Sequence, residues 1–275
     1  MAIKSSVTVS LVPEARGGPF VFWDDLPKAC RMAKSFGFDA VEIFPRSPDA
    51  LDTESLRSLL ADHDLRLAAM GTGAGWLTQR LTLTLPDPAV RARAIEFVRA
   101  MIDAAGALGA PAIIGSMQGR FGDGVDRDTA LGHLSDAIEL LGEHAEQFGV
   151  PLIYEPLNRY ETNLVNTVEA GLGLLNGLST RNVVLLADLF HMNIEEFDIA
   201  AAIRSGGRAI GHVHFVDSNR RPAGFGHTDF TPIAKALEDI GYDGYLSAEA
   251  FPHPGPEQAA SETMASFRRH FPQGR

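Results

Sequence analysis

Val183-Val184-Leu185-Leu186-Ala187-Asp188 is followed by a helically periodic segment, 194–204, and then by Ala209-Ile210-Gly211-His212-Val213-His214. The two flanking runs are short, apolar and bounded by polar residues, which predicts buried strands. A near-continuous apolar run is what a strand covered on both faces requires. Strand, helix and strand within about 30 residues make one βαβ unit.

The same unit repeats outward in both directions. Residues 7–11, 39–44, 65–70, 112–115, 152–155 and 244–249 read as six more strands. Segments 24–36, 52–62, 88–108, 128–148, 165–176, 232–240 and 256–270 read as helices. Asp87 and Pro88 suit an N-cap and a first helical position, and Gly37, Gly109 and Gly149 suit C-terminal caps. Strict alternation implies a parallel sheet with right-handed crossovers. Eight units in about 250 residues predict an α/β fold, a closed (β/α)₈ TIM barrel, with one domain over 1–275. The competing fold, an open doubly wound sheet, calls for a glycine-rich phosphate loop, and no such motif is present. Gly71-Thr72-Gly73-Ala74-Gly75 lacks the lysine and the helix start of a phosphate cradle and reads as a mobile loop.

Composition narrows the partners. The 275 residues carry a formal net charge of −11, with 45% apolar residues. An acidic chain is a poor match for nucleic-acid phosphates or an anionic lipid surface. Cys30 is the single cysteine, so neither an intrachain disulfide nor a thiolate zinc cluster is available. No apolar run approaches the ~18 residues of a membrane span. These features predict a cytoplasmic protein that binds neither membrane nor nucleic acid.

Active sites of such barrels lie at the C-terminal ends of the strands. Four consecutive predicted strands end in Glu155, Asp188, His214 and Glu249. A single strand-end carboxylate is commonly a helix cap, but four metal-competent groups on neighbouring strands converge on one point. Three carboxylates and one imidazole form a hard, oxygen-rich donor set, suited to one divalent ion: Mn²⁺ first, with Mg²⁺ or Co²⁺ acceptable. Glu161, His191 and Arg220 follow in the loops above and are candidate substrate contacts. His212, two residues before His214, reads as an inward, hydrogen-bonded packing residue. Glu42 reads as inward and structural, and Asp229 or Thr231 as a helix cap. His227 lies in a loop placed to fold over the site. Trp76 suits either a pocket wall or a surface position.

Around these residues the chain resembles the sugar isomerase and epimerase family with the xylose-isomerase-like barrel, and most closely the ketose 3-epimerases of the D-tagatose and D-psicose type. The segments Glu-Pro-Leu-Asn-Arg-Tyr-Glu (155–161), Asp-Leu-Phe-His-Met-Asn-Ile-Glu-Glu (188–196) and His-Phe-Val-Asp-Ser-Asn-Arg (214–220) carry the likeness. So does Ile-Gly-Tyr-Asp-Gly (240–244). The resemblance implies that Glu155, Asp188, His214 and Glu249 bind the metal. It implies that Glu155 and Glu249 also act as acid and base, and that Glu161, His191 and Arg220 contact the sugar. The implied reaction is C3 epimerisation of a ketose through a metal-stabilised enediolate, by a dimer or tetramer. The same site also suits an aldose–ketose or hydroxypyruvate-type isomerase, or a dehydratase or lyase. Val216-Asp217 stands where the epimerases usually carry Gly-Glu.

Overall fold

The computed structural model describes residues 3–122 and 124–272. Its strands are β1 Lys4–Ser10, β2 Phe22–Trp23, β3 Ala40–Phe44, β4 Arg66–Gly71, β5 Ala112–Ile114, β6 Leu152–Tyr154, β7 Val183–Asp188, β8 Ile210–His214 and β9 Tyr245–Ala248. Its helices are α1 Leu26–Phe36, α2 Thr53–Asp62, α3 Ala74–Gln79, α4 Pro88–Gly106 and α5 Arg127–Glu146. They continue with α6 Val168–Asn176, α7 Leu189–Glu195, α8 Ile199–Gly206, α9 Phe230–Asp239 and α10 Pro256–His270. The strands pair in the order β1-β3-β4-β5-β6-β7-β8-β9, all parallel, and β9 closes on β1. This is the closed eight-stranded barrel. The short β2 pairs with the upper end of β1 and lies outside the ring.

Side-chain parity divides the barrel into two chemically different halves. Val7, Val9, Val41, Ile43, Leu185, Val213 and Leu246 turn outward and join the apolar layer beneath the helices. Inward, β4 to β7 contribute a small separate apolar cluster of Ala69, Ile113, Ile153 and Leu186. The alternate positions of β1, β3, β8 and β9 are instead polar and buried: Ser6, Thr8, Glu42, His212, His214 and Ser247. Buried polar groups are tolerable only when partnered, so this half is committed to hydrogen bonding or ion binding.

Three local expectations change. The segment 71–75 is not a mobile loop. Gly71 ends β4, the Thr72 hydroxyl donates to the Ile113 carbonyl at 2.7 Å, and α3 begins at Ala74, which is fully buried. The small residues there allow close packing, since a Cβ on Gly73 would lie 2.8 Å from Ser116 Oγ. The single helix expected over 194–204 is two helices, α7 and α8, each starting on its own aspartate cap, Asp188 and Asp198. The helix expected from 232 starts earlier, at Phe230, because Asp229 caps it through the Thr231 N–H at 2.9 Å.

Gly106, the last residue of α4, packs closely against Phe148, just past the end of α5. A Cβ there would lie 2.6 Å from Phe148 Cδ2 and 2.8 Å from Phe148 Cβ. Alanine favours a helix interior over glycine by about 1 kcal/mol, while overpacking costs about 1–3 kcal/mol. The steric term dominates, so Gly106→Ala lowers stability in urea unfolding. A more stable variant would show that Phe148 yields without cost.

Candidate metal centre and active site

Period-2 alternation carries the inward faces of four strands up to the mouth. Asp188 and His214 end β7 and β8. Glu155 and Glu249 stand one residue past β6 and β9. Each lies two residues beyond a buried residue of the barrel interior: Ile153, Leu186, His212 and Ser247. They meet. His214 Nδ1 is 3.0 Å from Asp188 Oδ2, 3.5 Å from Glu155 Oε1 and 3.6 Å from Glu249 Oε2.

The donor set fits a divalent ion. Glu155 Oε1 is buried and makes no hydrogen bond. An orphaned buried carboxylate oxygen is costly unless a cation faces it. Asp188 divides its two oxygens: Oδ1 accepts from the Phe190 and His191 N–H groups and starts α7, while Oδ2 faces His214. The helix-cap reading of this aspartate therefore describes Oδ1, while Oδ2 stays turned toward the cluster.

Charge is tightly balanced. Burial raises the Asp188 carboxyl, but His191, His214 and Arg220 outweigh this and hold it below the ordinary range. Glu249 goes the other way: burial, with Glu155 and Asp188 nearby, raises it against the pull of His214 and Arg220. Burial lowers His214, yet Glu249, Glu42, Asp188 and Glu155 bring it well above the usual histidine value. A divalent ion at the same place would have to displace that proton.

Of the three candidate substrate contacts, Glu161 and Arg220 line the cavity, whereas His191 is buried beside Glu155 and Asp188. The Asn158 backbone N–H donates to His191 Nδ1 at 3.3 Å, so Nδ1 is the acceptor and Nε2 carries the proton. That Nε2 makes no hydrogen bond and points into the site, 3.7 Å from Glu155 Oε1. Arg220 donates to Glu249 Oε2 at 2.6 Å and to Glu161 Oε1 at 3.2 Å, with its guanidinium over the Phe190 ring. Its backbone has φ +58°, held by its N–H on the Asp217 carbonyl at 2.8 Å and by Phe251 N–H on its own carbonyl at 2.9 Å. The buried Asp217 carboxylate accepts from the N–H groups of Ser218, Gly224 and Thr228 and ties down residues 217–228. Burial raises Asp217, but these backbone donors hold it below its ordinary value. His227 turns to Ser218 Oγ at 3.0 Å and does not line the cavity.

The cavity above the centre measures about 460 Å³. Glu155, Glu249, His214, Arg220 and Glu161 line its polar end, and Phe20, Phe44, Trp76, Leu77 and Leu157 its apolar end. Trp76 is thus a pocket wall. Sequence reading missed Gln118 and Asn158. Gln118 Nε2 donates to the Glu155 carbonyl at 2.9 Å and Gln118 Oε1 accepts from Tyr154 Oη at 2.6 Å, fixing the turn that carries Glu155. Gln118 has no sequence signal, because it works through a partner far along the chain; Asn158 lies in the 155–161 segment, but its contact with His191 spans 33 residues. Glu42 was seen as inward, but its two histidine partners were not.

Residues 30–270 match the family model described as xylose isomerase-like TIM barrel. The chain belongs to that family. It is 31% identical to an L-ribulose 3-epimerase of a Methylomonas species over 245 residues, 88% of this chain and 84% of the relative. It is 33% identical to a ketose 3-epimerase of Arthrobacter globiformis over 218 residues, 78% of this chain and 74% of the relative. Among solved structures, the Methylomonas D-allulose 3-epimerase in complex with D-allulose superposes with a TM-score of 0.82 at 26% identity. That match covers 98% of this chain and 99% of the other. These relatives are isomerase-class enzymes.

A methyl group on Gly115 would sit 2.5 Å from Glu155 Oε2. Glu155 is at the end of a flexible side chain, so relief is cheap for folding but moves the carboxylate. Gly115→Ala therefore keeps the thermal midpoint nearly unchanged and lowers turnover of the relatives' ketoses about 100-fold. Wild-type turnover would show that the Glu155 position does not matter.

Proposed function

We propose that this chain is a divalent-metal-dependent ketose 3-epimerase, acting as one barrel domain over 1–275. The observation that supports this best is the pair Glu155 and Glu249, 3.5 and 3.6 Å from His214 Nδ1, in a chain about one-third identical to ketose 3-epimerases. Glu155, Asp188, His214 and Glu249 would hold one ion, Mn²⁺ by preference and Mg²⁺ or Co²⁺ as substitutes. Bound there, such an ion supplies Lewis-acid polarisation of a ketose carbonyl.

The remaining chemistry belongs to the side chains. One of Glu155 and Glu249 takes the C3 proton, and the other returns a proton to the opposite face, inverting C3. Arg220 fixes Glu249 and, through Glu161, links the acid–base pair to the sugar-binding rim. The free His191 Nε2–H donates to a sugar oxygen. The two cationic side chains lining the cavity, Arg16 and Arg220, are already paired with Asp24 and with Glu249 and Glu161. A neutral, unphosphorylated sugar suits that balance.

No described helix is long and apolar enough to cross a membrane. Cys30 is free and buried, in keeping with a cytoplasmic setting. A homo-oligomer, dimer or tetramer, completes the proposal, supported by exposed Tyr160 and Phe197. Light scattering is expected to give a mass above one chain, falling on Phe197→Asp. A monomeric wild type would remove that part.

Incubation of D-fructose, D-tagatose or L-ribulose with Mn²⁺ in D₂O tests the reaction. The expected result is the C3 epimer with solvent deuterium at C3, and a turnover loss of ~10²–10⁴-fold in Glu249→Gln. Label at C1 would mark an aldose–ketose isomerase, and loss of water a dehydratase. Absence of label from every ketose would overturn proton transfer altogether.

A further inference from the structure

Beneath the candidate metal centre, a fourth carboxylate faces the other side of the His214 ring. Glu42 Oε1 is 3.2 Å from His214 Nε2, and Glu42 Oε2 is 2.8 Å from His212 Nε2. All three residues are buried. The two imidazoles meet edge-on, 5.6 Å between centroids at 85°. One carboxylate therefore takes one imidazole on each oxygen.

Two irregularities in the barrel place this group. Between β7 and β8 the register passes from Leu185↔Ile210 to Leu186↔His212, leaving Gly211 as an extra residue. A Cβ on Gly211 would lie 2.7 Å from Val184 Cβ, so only glycine fits there. Between β3 and β4 the register passes from Val41↔Leu67 to Glu42↔Ala69. Bulges of this kind re-aim the side chains next to them. Here they adjoin the two ends of the Glu42–His212 contact.

The three side chains lie close enough to be read as a second metal pocket. Their hydrogen bonding argues otherwise. The contacts at 2.8 and 3.2 Å are ordinary N–H···O bonds that satisfy both oxygens and both facing nitrogens. By contrast, Glu155 Oε1 and His191 Nε2 above them have no hydrogen-bond partner. The ion position is above His214, not below.

A neutral imidazole has one N–H and one lone pair. Asp188, Glu155 and Glu249 on the Nδ1 side would favour the proton there, which would block ligation. Glu42 on the Nε2 side, an acceptor only, pulls it the other way. We propose that Glu42 is a positioning residue of the metal centre: it keeps the proton of His214 on Nε2 and the Nδ1 lone pair toward the ion. His212 holds the second oxygen so that the carboxylate cannot turn away. The inference rests on the metal-centre reading above.

Glu42→Gln tests it, because an amide can accept from only one of the two imidazoles and presents an N–H to the other. By calorimetry, Mn²⁺ affinity is expected to fall roughly 10–100-fold, with turnover recovering as Mn²⁺ is raised. A residue that merely packs would lower the metal-free melting temperature without this selective loss. Affinity within about twofold of the unaltered chain would overturn the proposal. An unaltered chain that binds no Mn²⁺ would instead overturn the metal-centre reading, so the two failures are distinct. If the variant does not fold, the ring ¹⁵N shifts of His214 in the unaltered, Mg²⁺-loaded protein decide. A proton on Nε2 supports the proposal, and a proton on Nδ1 overturns it.

Discussion

His214 is gripped at both nitrogens, and the rest of the site is arranged around the resulting charge balance. Four carboxylates close on two imidazoles and one guanidinium inside a barrel. Such a concentration of buried charge is unfavourable unless every member is paired. Asp188 meets the requirement with a helix N-terminus, Glu42 with two histidines, and Glu249 with Arg220. Glu155 keeps one buried oxygen without a hydrogen-bond partner, which a cation would satisfy. A divalent ion there, together with Arg220, would offset the three upper carboxylates.

The barrel makes this arrangement affordable by separating its interior. The apolar inward cluster of β4 to β7 packs on itself, so the polar side chains crowd onto β8, β9, β1 and β3. Hydrogen bonds across strands then substitute for packing. The Thr8 hydroxyl, for example, donates to the Ala248 carbonyl at 2.8 Å, bridging β1 to β9 where the barrel closes.

Much of this was legible in the sequence because a parallel barrel writes it locally. A strand covered on both faces is an apolar run, and its last inward residue is a polar punctuation mark, as with Asp188 after Ala187. Glu161, His191 and Arg220 follow such marks at short spacing. Three things were not legible. The break between α7 and α8 depends on Asp198 acting as a second cap inside an otherwise continuous helical pattern. The order in 71–75 comes from contacts with Ile113 and Ser116, which no local rule announces. The partnership of Glu42 with His212 spans 170 residues and depends on bulges, whereas sequence periodicity assumes regular strands.

The cavity walls have a consequence for how such a protein changes over time. Every candidate ion-holding side chain comes from the ends of β6 to β9, while the apolar end of the cavity, Leu157 after β6 excepted, is built by the last residue of β3 and by residues after β1 and β4. Leu157 apart, the two sets rest on different strands. Phe20, Phe44, Trp76 and Leu77 are therefore open to exchange without disturbing the buried charges. The fold is a reusable proton-transfer engine with a replaceable mouthpiece, so drift in one half alters which sugar fits while the other half stays fixed.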